Sequence, residues 1–280
     1  MLSYLHAFHA GNFADVQKHS ALYLVLKLMQ AKSSPIAYFD THGGSGLYDL
    51  NSERARKTAE AAEGIQVLWS QRQTLASPDW QGFMDHLQRV NKGSDTLVRY
   101  PGSPAWLADS CRSQDSATCF ELHPSEGGQL SRWAGSTALQ VRRQDGLQGL
   151  LGCLPPNKPR LLALIDPSYE VKTEYKQVAD TLAKAWQRCR HGVYLVWYPL
   201  LPKQEHKTLL SAIGSGKISK VLRSEVILNR PPDRGMYGSG MLVINPPWGF
   251  EERYTAMLRD AVRPDVINGL HQLDWLVPEP

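Results

Sequence analysis

An apolar run, Leu161-Leu162-Ala163-Leu164-Ile165, ends in Asp166-Pro167-Ser168-Tyr169. A short apolar run closed by a turn signal reads as a buried strand, and in an open parallel sheet ligands sit in the crevice beyond the carboxyl ends of the strands. A carboxylate placed there accepts a hydrogen bond or a proton. Pro167 stiffens the turn and, lacking an N–H, contributes only its carbonyl acceptor. Tyr169 offers a flat face for a planar ring. Two acceptors and a stacking surface suit the exocyclic amine of a nucleobase, so adenine N6 or a related amine is the first chemistry to consider.

A rival turn, Asn245-Pro246-Pro247-Trp248, follows the strand-like Met241-Leu242-Val243-Ile244. By letters it is the better match to the Asp/Asn-Pro-Pro-aromatic motif of amino-methyltransferases. Taken alone, a Pro-aromatic turn after a strand is more often only a turn, so position must decide between the two.

Position follows from the elements. Residues 12–29 read as an amphipathic helix with a polar opposite side, and residues 36–40 as a strand running into the glycine-rich turn Thr41-His42-Gly43-Gly44-Ser45-Gly46. Such a turn lets backbone approach a ligand closely. Residues 53–74 and 79–91 read as helices with no strand between them, followed by the loop Tyr100-Pro101-Gly102-Ser103-Pro104 and a helix to Cys111. From there strands at 117–120, 137–141, 161–165 and 193–197 alternate with helices at 125–133, 145–151, 172–188 and 203–213. Strands at 221–228 and 241–244 come last, joined without a helix, and predict an antiparallel pair. The alternation predicts an α/β doubly wound, mostly parallel sheet.

A dinucleotide fold would carry its ribose-binding acid about 20 residues beyond the glycines. That distance lands near Glu60 and Glu63, in a charged helix poorly suited to a buried contact. If the block from Leu47 to Tyr100 is an insertion, the second strand ends in Glu121, suited to ribose hydroxyls. Asp145 then follows the third strand and suits an adenine amine. Asp40, Glu121, Asp145 and Asp166 thus close four successive strands on one edge of a sheet. Acids at strand ends are often only turn formers or caps, but four in order, with glycines after the first, favour a ligand site.

The composition sets the frame. The chain has 280 residues, 42% apolar and 21% charged, with a formal net charge of +4. No apolar run approaches the roughly 18 residues that cross a bilayer, and the N-terminus has neither the basic region nor the apolar core of a signal peptide. A cytoplasmic protein is expected. Cys111, Cys119, Cys153 and Cys189 are scattered and read as reduced structural thiols. Between Lys158 and Arg230, 13 Lys/Arg face 6 Asp/Glu, an excess compatible with a phosphate backbone near the site.

The four strand-end acids resemble the class I S-adenosylmethionine-dependent methyltransferases, which keep their catalytic motif after the fourth strand, where Asp166 stands. The likeness extends through Tyr4-Leu5-His6-Ala7-Phe8-His9-Ala10-Gly11-Asn12, Asp15-Val16-Gln17-Lys18-His19, Asp40-Thr41-His42-Gly43-Gly44, Tyr100-Pro101-Gly102-Ser103-Pro104, Glu121-Leu122-His123-Pro124 and Asp145-Gly146. Together these resemble the bacterial RlmJ family, whose members methylate N6 of one adenine in 23S ribosomal RNA.

The resemblance implies a Rossmann-like, mostly parallel seven-stranded sheet with an antiparallel last strand. A methyltransferase domain would span residues 1–46 and 101–280, with a small helical insertion subdomain at 47–100. It implies S-adenosyl-L-methionine as methyl donor, bound by Lys18, His19, His42, Gly43, Ser103, Glu121, Asp145, Gly146 and Asp166, and no metal. Asp166, Pro167 and Tyr169 would be catalytic. Tyr4, His6 and Tyr169 would meet the substrate base, in a monomer acting on protein-free 23S RNA or an early assembly intermediate. One departure stands out: the family motif is Asp-Pro-Pro-Tyr, and Ser168 replaces its second proline. The acceptors and the ring survive, so the expectation is a looser turn, not lost activity.

Other classes remain to be weighed. A non-catalytic RNA-binding protein on a methyltransferase fold would be distinguished by its failure to bind cofactor, and an enzyme acting on DNA adenine by its substrate. A metallohydrolase built on His6, His9, His19 and Asp40 lacks the His-x-x-x-His helical spacing.

Overall fold

The computed structural model describes residues 5–233 and 235–279. Five strands lie parallel: β1 (Ile36–Asp40), β4 (Ser116–Phe120), β5 (Leu139–Arg142), β6 (Arg160–Ile165) and β7 (Val193–Leu200). They belong to one sheet of order β10-β8-β9-β7-β6-β1-β4-β5, in which β8 is Val221–Leu228, β9 Gly238–Ile244 and β10 Gly269–Val277. β9 is antiparallel to both β7 and β8, and β10 is antiparallel to β8. A separate two-stranded ribbon pairs β2 (Leu47–Asp49) with β3 (Arg99–Pro101).

The helices are α1 (Phe13–Gln30), α2 (Glu53–Thr58), α3 (Ile65–Ser70), α4 (Asp79–Val90), α5 (Ser103–Ser110), α6 (Pro124–Ala134), α7 (Gly146–Gly152), α8 (Thr173–Arg188), α9 (His206–Gly214) and α10 (Phe250–Ala261). Among the described residues no helix is long and apolar enough to cross a membrane.

The sheet has the doubly wound class I methyltransferase arrangement, but with eight strands in place of the expected seven. The extra strand β10 forms an edge beside β8. Its burial alternates only weakly and Leu270, Gln272 and Asp274 are exposed, so it carries little of the apolar run that marks the central strands. Helix α10 is a further element that the sequence pattern does not predict.

Helix α1 departs from expectation in burial. Its N-cap Asn12 accepts the Asp15 N–H, as a cap should, but its polar side is buried along with its apolar one. Asp15, Gln17, Lys18, His19 and Ser20 are all below 5% exposed. The reason is that α1 is covered all round, by the sheet, by the insertion and by α10. Gln17 donates to the Ser224 carbonyl of β8, the Tyr254 hydroxyl of α10 donates to the Gln17 carbonyl, and Lys27 pairs with Asp79 of α4.

The helix expected over 53–74 is broken. Ala59 adopts a left-handed φ of 54° and short 3-10 turns interrupt the run. The break follows from a close approach: a Cβ on Gly64 would lie 2.3 Å from the Gly11 carbonyl, and the Ile65 N–H donates to that same carbonyl at 2.7 Å. The insertion therefore docks on the start of α1. It shares the main apolar core through Ile65, Leu68, Trp80 and Phe83, and the Trp80 indole donates to the Met257 carbonyl of α10.

Candidate active site

The carboxyl ends of β1, β4, β5 and β6 meet at one edge of the sheet, where register pairs Asp40 with both Cys119 and Leu164. There a cavity of about 920 Å³ opens, lined among others by Lys18, His19, His42, Gly43, Ser103, Glu121, Asp145, Gly146, Asp166 and Pro167. Residues more than 140 apart in sequence thus share one wall, because the parallel strands all point their ends the same way.

The loop after β1 is held by backbone bonds to its neighbours. The Thr41 N–H donates to Leu164 and the Gly43 N–H to Phe120. Gly43 has no room for a side chain, since a Cβ would meet Leu130 at 2.9 Å. Gly146 is more constrained still: its Cβ would lie 1.8 Å from the Thr41 carbonyl. Close approach of bare backbone at these points is what gives a ligand access to the strand ends.

The acids differ in placement. Glu121 faces the cavity, accepting the Gly44 N–H at 2.8 Å and the His123 N–H at 2.7 Å on separate oxygens. Each oxygen keeps a lone pair, and burial pushes the carboxyl up. Asp145 lines the cavity while capping α7 through the Gln148 N–H. Asp40 is fully buried behind the loop, outside the cavity wall. One of its oxygens accepts the His42 N–H at 3.1 Å, and burial lifts its carboxyl to about 7 against the opposing pull of hydrogen bonds from Ser103 and His42.

His19 is buried and His42 half-buried, and both are kept neutral, desolvation lowering them to about 3 and about 4. The Tyr100 hydroxyl pairs with His19 Nδ1 at 2.7 Å, leaving the buried Nε2 with no partner. His42 Nδ1 pairs with Thr41 Oγ1 at 2.7 Å.

Asp166 is bound by Lys18, whose Nζ lies 2.5 Å from Oδ2. Burial raises the Asp166 carboxyl against the pull of Lys18. The same ammonium lies 3.0 Å from Asp15 Oδ1. His6 lines the cavity and its Nε2 pairs with Asp15 Oδ2 at 2.9 Å. Tyr4 lies outside the described residues.

Tyr169 is not where a stacking platform would stand. Its φ of 54° is unusual for a bulky residue and turns the ring into the protein. There it stacks on Tyr175 at 4.3 Å and donates its hydroxyl to the Trp197 carbonyl at 2.8 Å. It is 6% exposed and does not line the cavity. The aromatics that do include Phe13, Tyr48 and Trp197 of β7, the last with Lys18 Nζ 5.8 Å from its ring centroid. In sequence Trp197 was one more apolar letter of a strand, and nothing there marked it.

The insertion supplies a wall that spacing did not foresee. Glu60 and Glu63 line the cavity, and Glu60 holds His9 at 2.8 Å and the Asn12 amide at 2.9 Å. Their entry depends on the insertion folding back on α1. His6, His9, His19 and Asp40, the metallohydrolase set, are spread over separate partners. No group of three or more metal-binding side chains gathers among the described residues.

The rival turn lies at the other edge. Ile244 pairs with Tyr194 at the start of β7, and the Asn245 amide donates to the carbonyls of Arg190 and Gly192 at 2.8 and 2.7 Å. The basic excess divides in the same way. Lys172, Lys176, Lys203, Lys207 and Arg230 follow strands at the cavity edge, whereas Lys158, Arg188, Arg190, Lys217 and Lys220 precede strands at the far one, where Arg160 opens β6.

Comparison with known proteins agrees with this geometry. The family described as "Ribosomal RNA large subunit methyltransferase D, RlmJ" matches residues 33–277. The chain is 39% identical to ribosomal RNA large subunit methyltransferase J of Escherichia coli over the full length of both. It is 38% identical to the protein of that name from Haemophilus influenzae, again over both full lengths. Among solved structures, protein LPL1258 of Legionella pneumophila superposes with a TM-score of 0.88 at 34% identity, covering 95% of this chain and 98% of that one. The chain belongs to the RlmJ family of ribosomal RNA large subunit methyltransferases.

Proposed function

We propose that this protein transfers a methyl group from S-adenosyl-L-methionine to N6 of an adenine in 23S ribosomal RNA. The observation that carries the reading is the presence, in one cavity, of the Asp166-Pro167 acceptor pair and the glycine-and-acid wall after β1, β4 and β5. The two relatives' names supply ribosomal RNA as the substrate class.

The residues fit that cofactor. The partnerless His19 Nε2 suits a carboxylate, Glu121 has acceptor capacity for ribose hydroxyls, and Asp145 suits an adenine amine. Gly43 and Gly146 leave room for it. A cavity of about 920 Å³ is at the upper end for one drug-sized ligand, which leaves space for a base beside it. The cofactor, when bound, supplies an electrophilic methyl group.

The protein's task is then positioning. The N6 lone pair of adenine is delocalised into the ring and is a weak nucleophile. Hydrogen bonds from the amine to Asp166 and the Pro167 carbonyl favour a pyramidal nitrogen and stabilise the positive charge that develops on it. Alignment for in-line displacement supplies much of the acceleration. The target base must be unstacked to enter, and Trp197, close to Lys18, is one aromatic of the wall that could face it. Basic side chains at the cavity edge, Arg230 among them, suit the RNA backbone, so binding weakens as salt rises.

The test is transfer of a labelled methyl group to protein-free large-subunit RNA, with duplex DNA as control. N6-methyladenosine in RNA alone is the expected product. Label in DNA overturns the substrate, and bound cofactor with no transfer overturns the activity.

A further inference from the structure

Asp15 is almost fully buried at 1% exposure, on the first turn of α1, and its carboxylate is a junction. Oδ1 meets the Lys18 ammonium at 3.0 Å, while Oδ2 accepts the Gly11 N–H at 2.8 Å and pairs with His6 Nε2 at 2.9 Å. Burial would raise this carboxyl, but His6 and Lys18 together hold it well below the usual range. Lys18, itself buried, therefore sits between the carboxylates of Asp15 and Asp166.

That arrangement poses a problem for the proposed reaction. At 2.5 Å from Oδ2, the Lys18 ammonium occupies part of the acceptor that the substrate amine requires. Releasing it costs free energy if the charge is left buried and unpaired. A lysine carries three rotatable donors on a flexible stem, so it can lean toward Asp15 without moving the backbone.

We propose that Asp15 is a positioning residue of this site, the counter-charge that retains Lys18 while Asp166 receives the substrate amine, and that it ties His6 to the same point. The proposal rests on the assignment of Asp166 as the amine acceptor. One carboxylate then couples the N-terminal segment to the reacting group, so that Asp166 can exchange partners without stranding a buried cation. Capping the first turn of α1 is the ordinary role for such an acid, and the test must separate the two.

The experiment is a double-mutant cycle of Asp15→Asn and Lys18→Met, read by single-turnover methyl transfer and by cofactor affinity from calorimetry. Asparagine can still accept from Gly11 and pair with His6, so the turn is retained, but it no longer balances the ammonium. The expected result is a methyl-transfer rate about tenfold or more slower in Asp15→Asn, with cofactor affinity little changed. The double variant is expected to be no slower than the slower single one, because removing Lys18 frees Asp166 again. Full turnover in Asp15→Asn overturns the proposal. So do losses that multiply in the double variant, or a circular-dichroism spectrum showing that Asp15→Asn has lost its fold. Undiminished transfer by Asp166→Ala would instead overturn the reading on which the proposal rests.

Discussion

Asp166-Pro167-Ser168-Tyr169 and Asn245-Pro246-Pro247-Trp248 are alike in letters, and each contains a residue with left-handed φ, 54° at Tyr169 and 52° at Asn245. Their surroundings are opposite. Asp166 faces the cavity, and the aromatic of its turn is buried at 6% exposure. Asn245 spends its amide on two carbonyls, and Trp248 stands 96% exposed. The cause is strand direction. β6 runs with the parallel set and delivers its carboxyl end to the ligand crevice, whereas β9 runs against β7 and delivers its end to the far edge. A motif acquires its chemistry from the edge on which the topology sets it.

The sharpest way to break this comparison is to truncate both turns. Asp166→Ala should lower turnover by about 10² to 10³ or more, the scale for losing a group aimed at developing charge. Asn245→Ala should leave turnover intact and cost about 1–3 kcal/mol of stability, from two lost hydrogen bonds and from alanine's poorer tolerance of the left-handed backbone that asparagine accepts. Methyl transfer and denaturant unfolding on both proteins decide it, and reversed outcomes would sink the assignment.

A second contrast lies within the cavity edge itself, between acids that face the ligand space and Asp40 behind them. Burial lifts the Asp40 carboxyl from 3.8 to about 7, so the folded protein holds that proton more tightly than the unfolded chain. Its contribution to stability is fully present below about pH 4 and is lost as pH rises through about 7. Asp40→Asn keeps the acceptor for His42 and removes the titration. At pH 8 the variant should exceed the parent in stability by an amount of order 2–4 kcal/mol, a gap that closes toward pH 4. Unfolding curves at several pH values check this, and a constant gap would contradict it.

Smaller effects refine the picture. Gly146→Ala, with its Cβ driven against the Thr41 carbonyl, should cost about 1–3 kcal/mol and weaken cofactor binding, measured by calorimetry. Tyr169→Phe should cost about 1 kcal/mol through the lost bond to the Trp197 carbonyl. If Tyr169 instead swings out to stack on the base, Tyr169→Leu, which removes the ring, would raise the RNA KM while Tyr169→Phe would leave it unchanged. Trp248→Ala should change stability by less than about 0.5 kcal/mol and leave turnover alone.

Much of the molecule was legible before its structure. The apolar runs of β1, β4, β6 and β7, and the acids and glycines that close them, are local patterns with local causes, so Asp166, Glu121, Asp145 and Gly43 emerged from spacing and from family likeness together. Edge strand β10 did not emerge, because a strand exposed along one side carries no continuous apolar signal. The burial of Asp15, Lys18 and His19 did not either. A polar helix face reads as solvated unless another segment covers it, and the cover comes from an insertion and a C-terminal helix distant in the chain. Tertiary structure alone decided that Tyr169 turns inward while Trp197 faces the cavity, and that Lys18 stands between Asp15 and Asp166. Local sequence specifies which residues can do chemistry and which strand carries them. Which of them meet, and with what charge beside them, depends on long-range packing that no spacing encodes.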